Sequence, residues 1–317
     1  MLRWLKGLMI RWQYNGSRRY FSRHPDHVAV CWNGLTGSRR AFMAGARDAG
    51  AARLFAELAP LPGRITLDPR GVNAENSLPR ERGFYEDWAM AQGQRDWQGW
   101  RDLGRGMVAR PSRRADVGQG GGEALDGSGP FLFCPLQVPD DSQVRLFSGW
   151  CGDMPGFIAA LAKATGALPE GWHLRVKEHP SARQSLGPAL SRAATDAGGR
   201  MVVDNTTDTF AQLAASQAVV TLNSSVGLQA FFHDKPVIVV GQAFFAIPGL
   251  VHPVPSQDAL NAAFTRPEAL GFDADFRDRF MSYLAEVYYP SDRLDPGELA
   301  RKLAEARQVA SLGASGA

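Results

Sequence analysis

The sequence predicts an α/β protein with two Rossmann-like domains. Short apolar runs typical of β-strands alternate with helix-length segments through most of the chain. The length of 317 residues is sufficient for two packed domains. Residues 104–129 are rich in glycine and polar residues and have no hydrophobic periodicity, so we predict a linker there.

The composition is that of a globular protein, with 44% hydrophobic and 21% charged residues. A disordered or collagen-like chain is therefore excluded. The three cysteines form no CxxC pair, which argues against a zinc knuckle or redox motif and favours a reducing, cytoplasmic location. Residues 1–127 hold 20 Lys and Arg against 13 Asp and Glu, whereas residues 128–317 hold 15 against 19. The basic first part suits an anionic partner.

The segment 1–25 mixes aromatic, aliphatic and basic side chains. Its apolar runs are shorter than the roughly 20 residues that a bilayer-spanning helix requires. Basic residues interrupt the apolar stretch, which argues against a secretory signal peptide. A helix here would carry four apolar side chains on one face among cations, the pattern of an interfacial membrane anchor. These four are Trp4, Leu5, Leu8 and Trp12. The alternative is that this face packs on the protein's own domain.

Residues 26–103 are predicted to form the first α/β domain, on the acceptor side. A strand from His27 to Trp32 ends in Asn33-Gly34, and an Ala- and Arg-rich helix follows over 38–50. A second strand covers 53–57, and after a loop punctuated by Pro and Gly an aromatic-rich helix covers 84–103.

Residues 130–290 are predicted to form the second, donor-binding domain, and 291–317 a closing helix and tail. The predicted strands are 131–138, 173–177, 201–203, 218–222 and 236–240. The predicted helices are 155–167, 186–197, 207–216, 225–232 and 276–288, with 296–312 in the closing segment. This order predicts a doubly wound parallel sheet. The GQGGGE stretch before it lacks a preceding strand and a following apolar helix, so we assign it to the linker rather than to a phosphate loop.

Ligands of an open parallel sheet bind at the carboxyl ends of its strands. Three polar clusters lie at such ends, Gln137 to Gln143, Lys177 to Pro180 and Leu222 to Gly227. Lys177 and His179 alternate along an extended segment, so both could face a departing phosphate. A solvated loop histidine is the alternative for His179.

The other two clusters also have a second interpretation. Asn223, Ser224 and Ser225 at a helix start offer hydroxyl and N–H groups to a phosphate, or one serine simply caps the helix. Asp141 could attack an anomeric carbon as nucleophile, or act as a helix cap. The HEXXH, GxSxG, P-loop and EF-hand patterns are absent, which disfavours zinc proteases, serine esterases, P-loop NTPases and calcium sensors.

Taken together these motifs resemble a known family. The segment Asn223 to Leu250, with the clusters at 137–143 and 177–180, resembles the bacterial capsule polysaccharide biosynthesis and export family of KpsS/KpsC-like β-Kdo transferases. Trp32-Asn33-Gly34 and the segment 67–77 look like the amino-terminal half of KpsS-like members. The resemblance covers roughly residues 27–290.

The resemblance implies a GT-B-like enzyme that transfers 3-deoxy-D-manno-octulosonic acid (Kdo) from CMP-β-Kdo, with retention, to a lipid or Kdo-primed acceptor. Asp141 matches the acidic residue of the family that acts as nucleophile, and His179 is the second catalytic candidate. The donor-binding candidates are Gln137, Ser142, Lys177, Asn223, Ser224, Ser225, Gly227 and Gln229. No cofactor or metal is expected, because cations can stabilise the departing CMP phosphate.

The expected partners are a nucleotide-sugar donor, an anionic lipid or glycolipid acceptor and the inner-membrane capsule machinery, without nucleic acid. The expected location is the cytoplasm, at the periphery of the inner membrane. Gln229 stands where many relatives have Glu, and Phe245 where many have Tyr. The alternatives are a non-catalytic assembly or export partner of the same fold and a UDP-sugar enzyme of GT-B architecture. His233 and His252 are expected to be buried structural residues.

Overall fold

The computed structural model describes residues 2–108, 111–121, 125 and 127–315. The chain forms two compact units. Unit 1 comprises residues 1–79 and 282–317, and unit 2 comprises residues 80–281. The chain thus leaves unit 1 after Pro79 and returns to it at Ser282.

The described residues form helices and strands in alternation. The helices are α1 (Leu2–Arg23), α2 (Gly37–Asp48), α3 (Arg82–Gln92), α4 (Ser142–Phe147), α5 (Met154–Thr165), α6 (Gly187–Asp196), α7 (Thr209–Ala215), α8 (Ser225–Gln229), α9 (Gln257–Thr265), α10 (Ala274–Tyr283) and α11 (Pro296–Ser315). The strands are β1 (Ala29–Trp32), β2 (Arg53–Leu58), β3 (Ile65–Asp68), β4 (Phe131–Pro135), β5 (His173–Lys177), β6 (Met201–Val203), β7 (Ala218–Thr221), β8 (Val237–Val239) and β9 (His252–Pro253). Short 3-10 turns include Gly99–Gly106 and Ala230–His233, and a π turn covers Leu284–Tyr288.

Unit 1 contains a three-stranded sheet in the order β1-β2-β3. The β1–β2 pair is parallel, and β3 runs antiparallel to β2. Helix α11 covers this sheet, with Ala306 packed against the buried side chains of Ala52 and Leu54. The β3 segment lies where the sequence predicted a loop, and the first sheet is therefore mixed rather than doubly wound.

Unit 2 contains a six-stranded sheet in the order β6-β5-β4-β7-β8-β9. Every pairing within it is parallel, which is the doubly wound order predicted from the sequence. All five residues of the central strand β4 are buried, because helices cover both faces of such a sheet. The main core of the unit lies between this sheet and helices such as α5 and α9.

The segment 80–103 belongs to unit 2, whereas the sequence placed it in the first domain. Tyr85 of α3 is completely buried, and its ring lies 4.9 Å from the ring of Phe280. Buried Trp100 donates its indole N–H to Asp278 at 3.0 Å. These aromatic side chains attach the segment to Asp278 and Phe280 of α10, which lie in unit 2. The predicted helix 84–103 is also shorter, because α3 ends before Gly93, whose φ is 75°.

Much of the predicted linker 104–129 is packed as well. The backbone N–H groups of Gly118 and Gly120 each donate at 2.7 Å to a carbonyl in the segment Asn205–Thr206. The donors are glycines, which have no side chain to contribute to a hydrophobic pattern, and this explains the linker prediction. Residues 109–110, 122–124 and 126 lie outside the described residues, including part of the GQGGGE stretch.

The carboxyl-terminal end of unit 2 also differs from the domain boundary that the sequence predicted at residue 290. Residues 282–290 belong to unit 1. There the Tyr288 hydroxyl donates to Asp68 at 2.8 Å, and the N–H of Ile65 donates to the Pro290 carbonyl. The predicted helix 276–288 is thus divided between α10 and the π turn that follows it.

Candidate functional site

The three predicted polar clusters all follow strands of the unit 2 sheet. Strand β4 lies between β5 and β7, so the loops after these three strands are neighbours at the carboxyl edge. They carry Asp141, His179 and Ser225, respectively. The candidate site therefore lies at the edge where an open parallel sheet binds its ligands.

A pair of buried amides joins two of these loops. The Gln137 side-chain N–H donates to the Asn223 side-chain oxygen at 2.8 Å, and the Asn223 backbone N–H donates back to the Gln137 side chain at 3.2 Å. The Asn223 side-chain N–H group also donates to the carbonyls of Gln143 and Phe147, both at 3.0 Å. Gln137 and Asn223 therefore hold the loop after β4 and helix α4 against the end of β7, and they act as scaffold.

Asp141 is exposed and caps α4. One carboxylate oxygen accepts the Gln143 backbone N–H at 2.8 Å and lies 3.4 Å from the Ser142 hydroxyl. The structure thus shows the capping role that the sequence left open for Asp141. A cap of this kind also fixes the carboxylate in one orientation at the carboxyl edge, which a nucleophile needs.

His179 is half-buried in the loop after β5. Its Nδ1 accepts the backbone N–H of Ser181 at 3.0 Å. A neutral ring bonded in this way carries its proton on Nε2. His179 is therefore arranged to donate a hydrogen bond from Nε2 rather than to accept a proton.

Lys177 does not have the geometry predicted for a cation beside the donor phosphate. Its side chain is 1% exposed, and its ammonium donates to three backbone carbonyls. These are Gly118 at 2.7 Å, Asn205 at 3.2 Å and Thr207 at 2.5 Å. Burial lowers the pKa of Lys177, while Asp204 and Asp208 oppose the shift. Lys177 therefore joins the end of β5 to Gly118 and to the segment Asn205–Thr207.

The Asn223–Gly227 cluster divides into a buried and an exposed part. Ser224 is buried and caps α8 by accepting the Val226 N–H at 3.2 Å, which is the capping alternative for this serine. Ser225 is exposed. A Cβ on Gly227 would lie 2.9 Å from Thr221 and 3.0 Å from Phe245, so this glycine serves close packing. Helix α8 has five residues before the 3-10 turn begins, so its dipole is small.

The remaining predicted residues lie at the edge of the site or away from it. Ser142 and Gln229 are half-buried at the start of α4 and the end of α8. The half-buried ring of His233 stacks on Phe210, and burial lowers the pKa of His233. A ring nitrogen of His252 lies 2.6 Å from the Gly271 carbonyl oxygen. Within the described ranges, no group of three His, Cys, Asp or Glu side chains is placed to hold a metal ion.

Sequence reasoning missed a strap of residues 112–114 beside the His179 loop. The Arg113 backbone N–H donates to the Pro180 carbonyl at 2.8 Å, and the Ser112 hydroxyl lies 3.3 Å from the same oxygen. The Arg113 side chain is exposed. The strap thus adds a cation beside the loop after β5. The run Arg110-Pro-Ser-Arg-Arg114 was the available signal, but it lay inside the predicted linker.

The strap is fixed by a buried ion pair. Arg114 donates to Glu178 at 2.7 Å, and Glu178 is 2% exposed. Glu178 also accepts the Leu186 backbone N–H at 2.8 Å and the Asn205 side-chain N–H at 3.2 Å. Burial acts to raise the pKa of Glu178, but the bonds from Arg114 and Leu186 outweigh it and lower the pKa.

The arrangement provides an exposed carboxylate, an imidazole donor, an exposed hydroxyl and an exposed guanidinium along neighbouring loops. The groups in question are those of Asp141, His179, Ser225 and Arg113. Cationic and N–H donors stabilise negative charge on a leaving phosphate, and a carboxylate can attack an electrophilic carbon. The edge is therefore chemically suited to an anionic donor with an activated carbon.

Comparisons with known proteins identify related chains. A family model described as "Capsule polysaccharide biosynthesis protein" matches residues 114–289. Protein FixF of Sinorhizobium fredii is 31% identical over 244 residues, which cover 75% of this chain and 54% of FixF. The capsule polysaccharide export protein KpsS of Escherichia coli is 31% identical over 127 residues, which cover 38% of this chain and 32% of KpsS. The chain thus matches about half of FixF and about a third of KpsS.

A solved structure shares the fold. The beta Kdo 2,7 transferase of Thermosulfurimonas dismutans KpsC superposes with a TM-score of 0.53 at 15% sequence identity. The match covers 91% of this chain and 88% of that one. At this identity the likeness establishes the fold, and the predicted GT-B class is confirmed.

Proposed function

Because the chain belongs to the capsule polysaccharide biosynthesis protein family, we propose that it is a glycosyltransferase that transfers Kdo from CMP-β-Kdo with retention. The observation that carries the proposal is the position of Asp141 and His179 on neighbouring loops at the carboxyl edge of the unit 2 sheet. These loops fall within the residues that the family model matches. The fold likeness to a KpsC transferase is consistent with the same class.

In the first proposed step a carboxylate oxygen of Asp141 bonds to the anomeric carbon of Kdo. The bond from that carbon to the CMP phosphate oxygen breaks, and its electron pair leaves with CMP. His179 donates from Nε2 to the departing phosphate, because its Nδ1 accepts the Ser181 N–H. Ser225 and Arg113 add further donors.

In the second proposed step an acceptor hydroxyl bonds to the same anomeric carbon. The ester bond to Asp141 breaks, its electron pair returns to the carboxylate, and the hydroxyl proton passes to water. Two displacements at one carbon restore its configuration, which gives the proposed retention.

We propose Arg113 as the cation that accompanies the anionic donor. Kdo carries its own carboxylate in addition to the CMP phosphate, so the donor has two negative groups. Arg113 is exposed, and its backbone is bonded to Pro180, directly after His179. Arg114 of the same strap is already occupied by Glu178.

The proposed acceptor is an anionic lipid or glycolipid, and the proposed location is the cytoplasmic side of the inner membrane, with the capsule machinery as partner. The described cysteines are all free, which is consistent with a reducing compartment. A cytoplasmic location would give the enzyme access to a nucleotide-sugar donor.

In the test, the purified full chain is incubated with CMP-Kdo, with and without a bacterial phospholipid extract. The release of CMP and the mass of the product are then measured. Asp141→Asn is the decisive variant, because asparagine also caps helices and should preserve α4 while removing the nucleophile. Asp140→Asn is the matched control, since it neutralises the adjacent exposed carboxylate. Wild type and Asp140→Asn should transfer Kdo, whereas Asp141→Asn should be at least 100-fold slower. Transfer by Asp141→Asn at the wild-type rate would contradict the assignment.

A non-catalytic assembly partner is the second candidate. It is favoured by Lys177, whose ammonium is bonded to carbonyls rather than placed beside the donor. If the protein binds CMP but neither wild type nor Asp140→Asn turns over CMP-Kdo, this candidate replaces the first. Competition by UDP instead of CMP would indicate another nucleotide-sugar donor.

A further inference from the structure

Helix α1 exposes an unusual concentration of apolar side chains. Of the 17 large hydrophobic side chains that the described residues leave exposed, six lie between residues 4 and 12. Trp12 is 78% exposed, and Trp4 and Met9 are each 67% exposed. The others are Leu5, Leu8 and Ile10. The predicted alternative, in which this face packs on the protein's own domain, is therefore not what the structure shows.

The opposite face of α1 holds the helix on unit 1. Tyr14 donates its hydroxyl to Asp48 at 2.7 Å, and Ser17 donates its hydroxyl to the Phe42 carbonyl at 2.6 Å. Phe21 is 3% exposed, and its ring lies 5.8 Å from the ring of Phe42. These contacts fix the second half of the helix against α2.

The helical repeat separates the attached face from the exposed one. Tyr14, Ser17 and Phe21 follow one another at intervals of three and four residues, and so form one line along the helix. Leu5, Leu8 and Trp12 form a second line with the same intervals. At 100° per residue the two lines lie about 180° apart. The attachment through α2 therefore directs the apolar line away from unit 1.

The charge of the helix identifies the surface that would cover this line. The segment 1–25 contains no Asp or Glu. Its described cations are all exposed, namely Lys6, Arg11, Arg18, Arg19 and Arg23. Apolar and aromatic side chains surrounded by cations fit the headgroup boundary of a bilayer that contains anionic lipids. A second copy would place like charges against each other, which disfavours an interface between copies.

We infer that α1 docks the protein on an anionic phospholipid bilayer, with the line Leu5, Leu8 and Trp12 in the headgroup boundary. The helix lies along the surface. Among the described helices, none has both the length and the mean hydropathy required to cross a bilayer. The inference does not depend on the proposed sugar transfer, because bilayer binding is measured without donor or acceptor turnover.

The test is co-sedimentation of the full chain with vesicles of phosphatidylglycerol and phosphatidylcholine, and with phosphatidylcholine vesicles alone. The variant Leu8→Glu/Trp12→Glu places two carboxylates in the apolar line. The matched control is Met90→Glu/Leu312→Glu, which changes two exposed apolar side chains on α3 and α11. Circular dichroism and melting temperature should be unchanged in both variants, because all four side chains are exposed.

Wild type and the control variant should bind the anionic vesicles, with binding that weakens as salt rises. The α1 variant should bind at least tenfold more weakly, and neutral vesicles should bind little protein. Equal binding of anionic vesicles by the α1 variant and wild type would overturn the inference. Sedimentation velocity provides the second criterion: a wild-type oligomer that the α1 variant dissociates, without vesicle binding, would make this face an interface between copies.

Discussion

Gln137 and Asn223 are joined by two hydrogen bonds between loops separated by 86 residues: the Gln137 side-chain N–H donates to the Asn223 side-chain oxygen at 2.8 Å, and the Asn223 backbone N–H donates to the Gln137 side-chain oxygen at 3.2 Å. Asn223 donates further to two carbonyls of α4. Both residues are buried, so neither presents its amide freely to a ligand. Their role is to set the position of α4 and hence of its exposed cap, Asp141.

We expect Asn223→Ala to destabilise the fold by about 2 to 4 kcal/mol, because it removes the acceptor of the buried Gln137 side-chain N–H and the two bonds to the carbonyls of Gln143 and Phe147. Gln137→Ala should cost about 1 to 3 kcal/mol. Urea unfolding measures both free energies. The double variant should cost less than the sum of the single ones, because each single change already breaks the bond between the two side chains. Strict additivity would show that the two amides do not act as a pair.

Lys177 should matter for stability more than for donor binding. Lys177→Met removes the ammonium that three carbonyls share, so we expect a loss of about 3 kcal/mol or more in the free energy of unfolding. CMP affinity of the folded fraction, measured by calorimetry at low temperature, should change less than threefold. A tenfold loss of CMP affinity with unchanged stability would restore the phosphate role that the sequence predicted.

The sequence was sufficient to predict most of the unit 2 sheet, because strands β4, β7 and β8 are short, mainly apolar and buried along their whole length. The two-residue strand β9 was not predicted. Strands β5 and β6 have the predicted bounds, and their alternation with helices gives a parallel order by simple topology. Strand β3 was missed because its polar residues Thr66 and Asp68 are buried by contacts that no local pattern reveals. Asp68 is held by the distant Tyr288 and by local N–H groups.

The candidate site was predicted at the level of the loops but not of each side chain. Parallel topology places the ends of β4, β5 and β7 together, so the loops of Asp141 and His179 were predicted as neighbours from the order of the strands, whereas the catalytic roles of these residues stay predictions from the resemblance. Whether a polar residue faces the ligand or the interior depends on tertiary partners. Lys177 turns inward because Gly118 and the Asn205–Thr207 segment present carbonyls to it, and both lie far away in sequence.

Arg113 should contribute to donor affinity through its charge. We expect Arg113→Ala to raise KM for CMP-Kdo about tenfold with little change in kcat, since the loss of one well-placed charge contact corresponds to roughly 1.4 kcal/mol. Arg113→Lys should recover part of the loss. Arg192→Ala, which removes an equally exposed cation on α6, is the matched control. If both alanine variants raise KM equally, the effect is one of net charge and Arg113 has no specific role.

Gly227 should tolerate no side chain. A Cβ there would lie 2.9 Å from Thr221 and 3.0 Å from the Phe245 ring, both of them buried. We therefore expect Gly227→Ala to destabilise unit 2 by about 1 to 3 kcal/mol. Gly83→Ala in α3 is the control, and it should stabilise the protein rather than destabilise it. Nothing lies within 4 Å of the added Cβ, and alanine favours a helix over glycine by about 1 kcal/mol. Thermal unfolding should separate the two variants, and equal melting temperatures would contradict the packing argument.

The Arg114–Glu178 pair should determine how stability depends on pH. The pKa of Glu178 lies below its ordinary value of 4.5, because the bonds from Arg114 and Leu186 outweigh burial. Because its pKa is lowered, Glu178 stabilises the folded state above pH 4.5. This contribution disappears as pH falls through the pKa that Glu178 has in the folded state. Wild-type stability should therefore rise with pH through this window.

In Arg114→Gln the Glu178 carboxylate remains buried without its cation, so burial should raise its pKa above 4.5. The contribution then changes sign, and stability should fall as pH rises from 4.5 through the raised value. At pH 7 the variant should be less stable than wild type by about 3 kcal/mol. Asp116→Asn removes the exposed partner of Arg114 and should leave the dependence of stability on pH close to that of wild type, because solvent screens an exposed ion pair. Urea unfolding from pH 3.5 to 7 gives the three profiles, and parallel profiles for wild type and Arg114→Gln would show that Arg114 does not control the titration of Glu178.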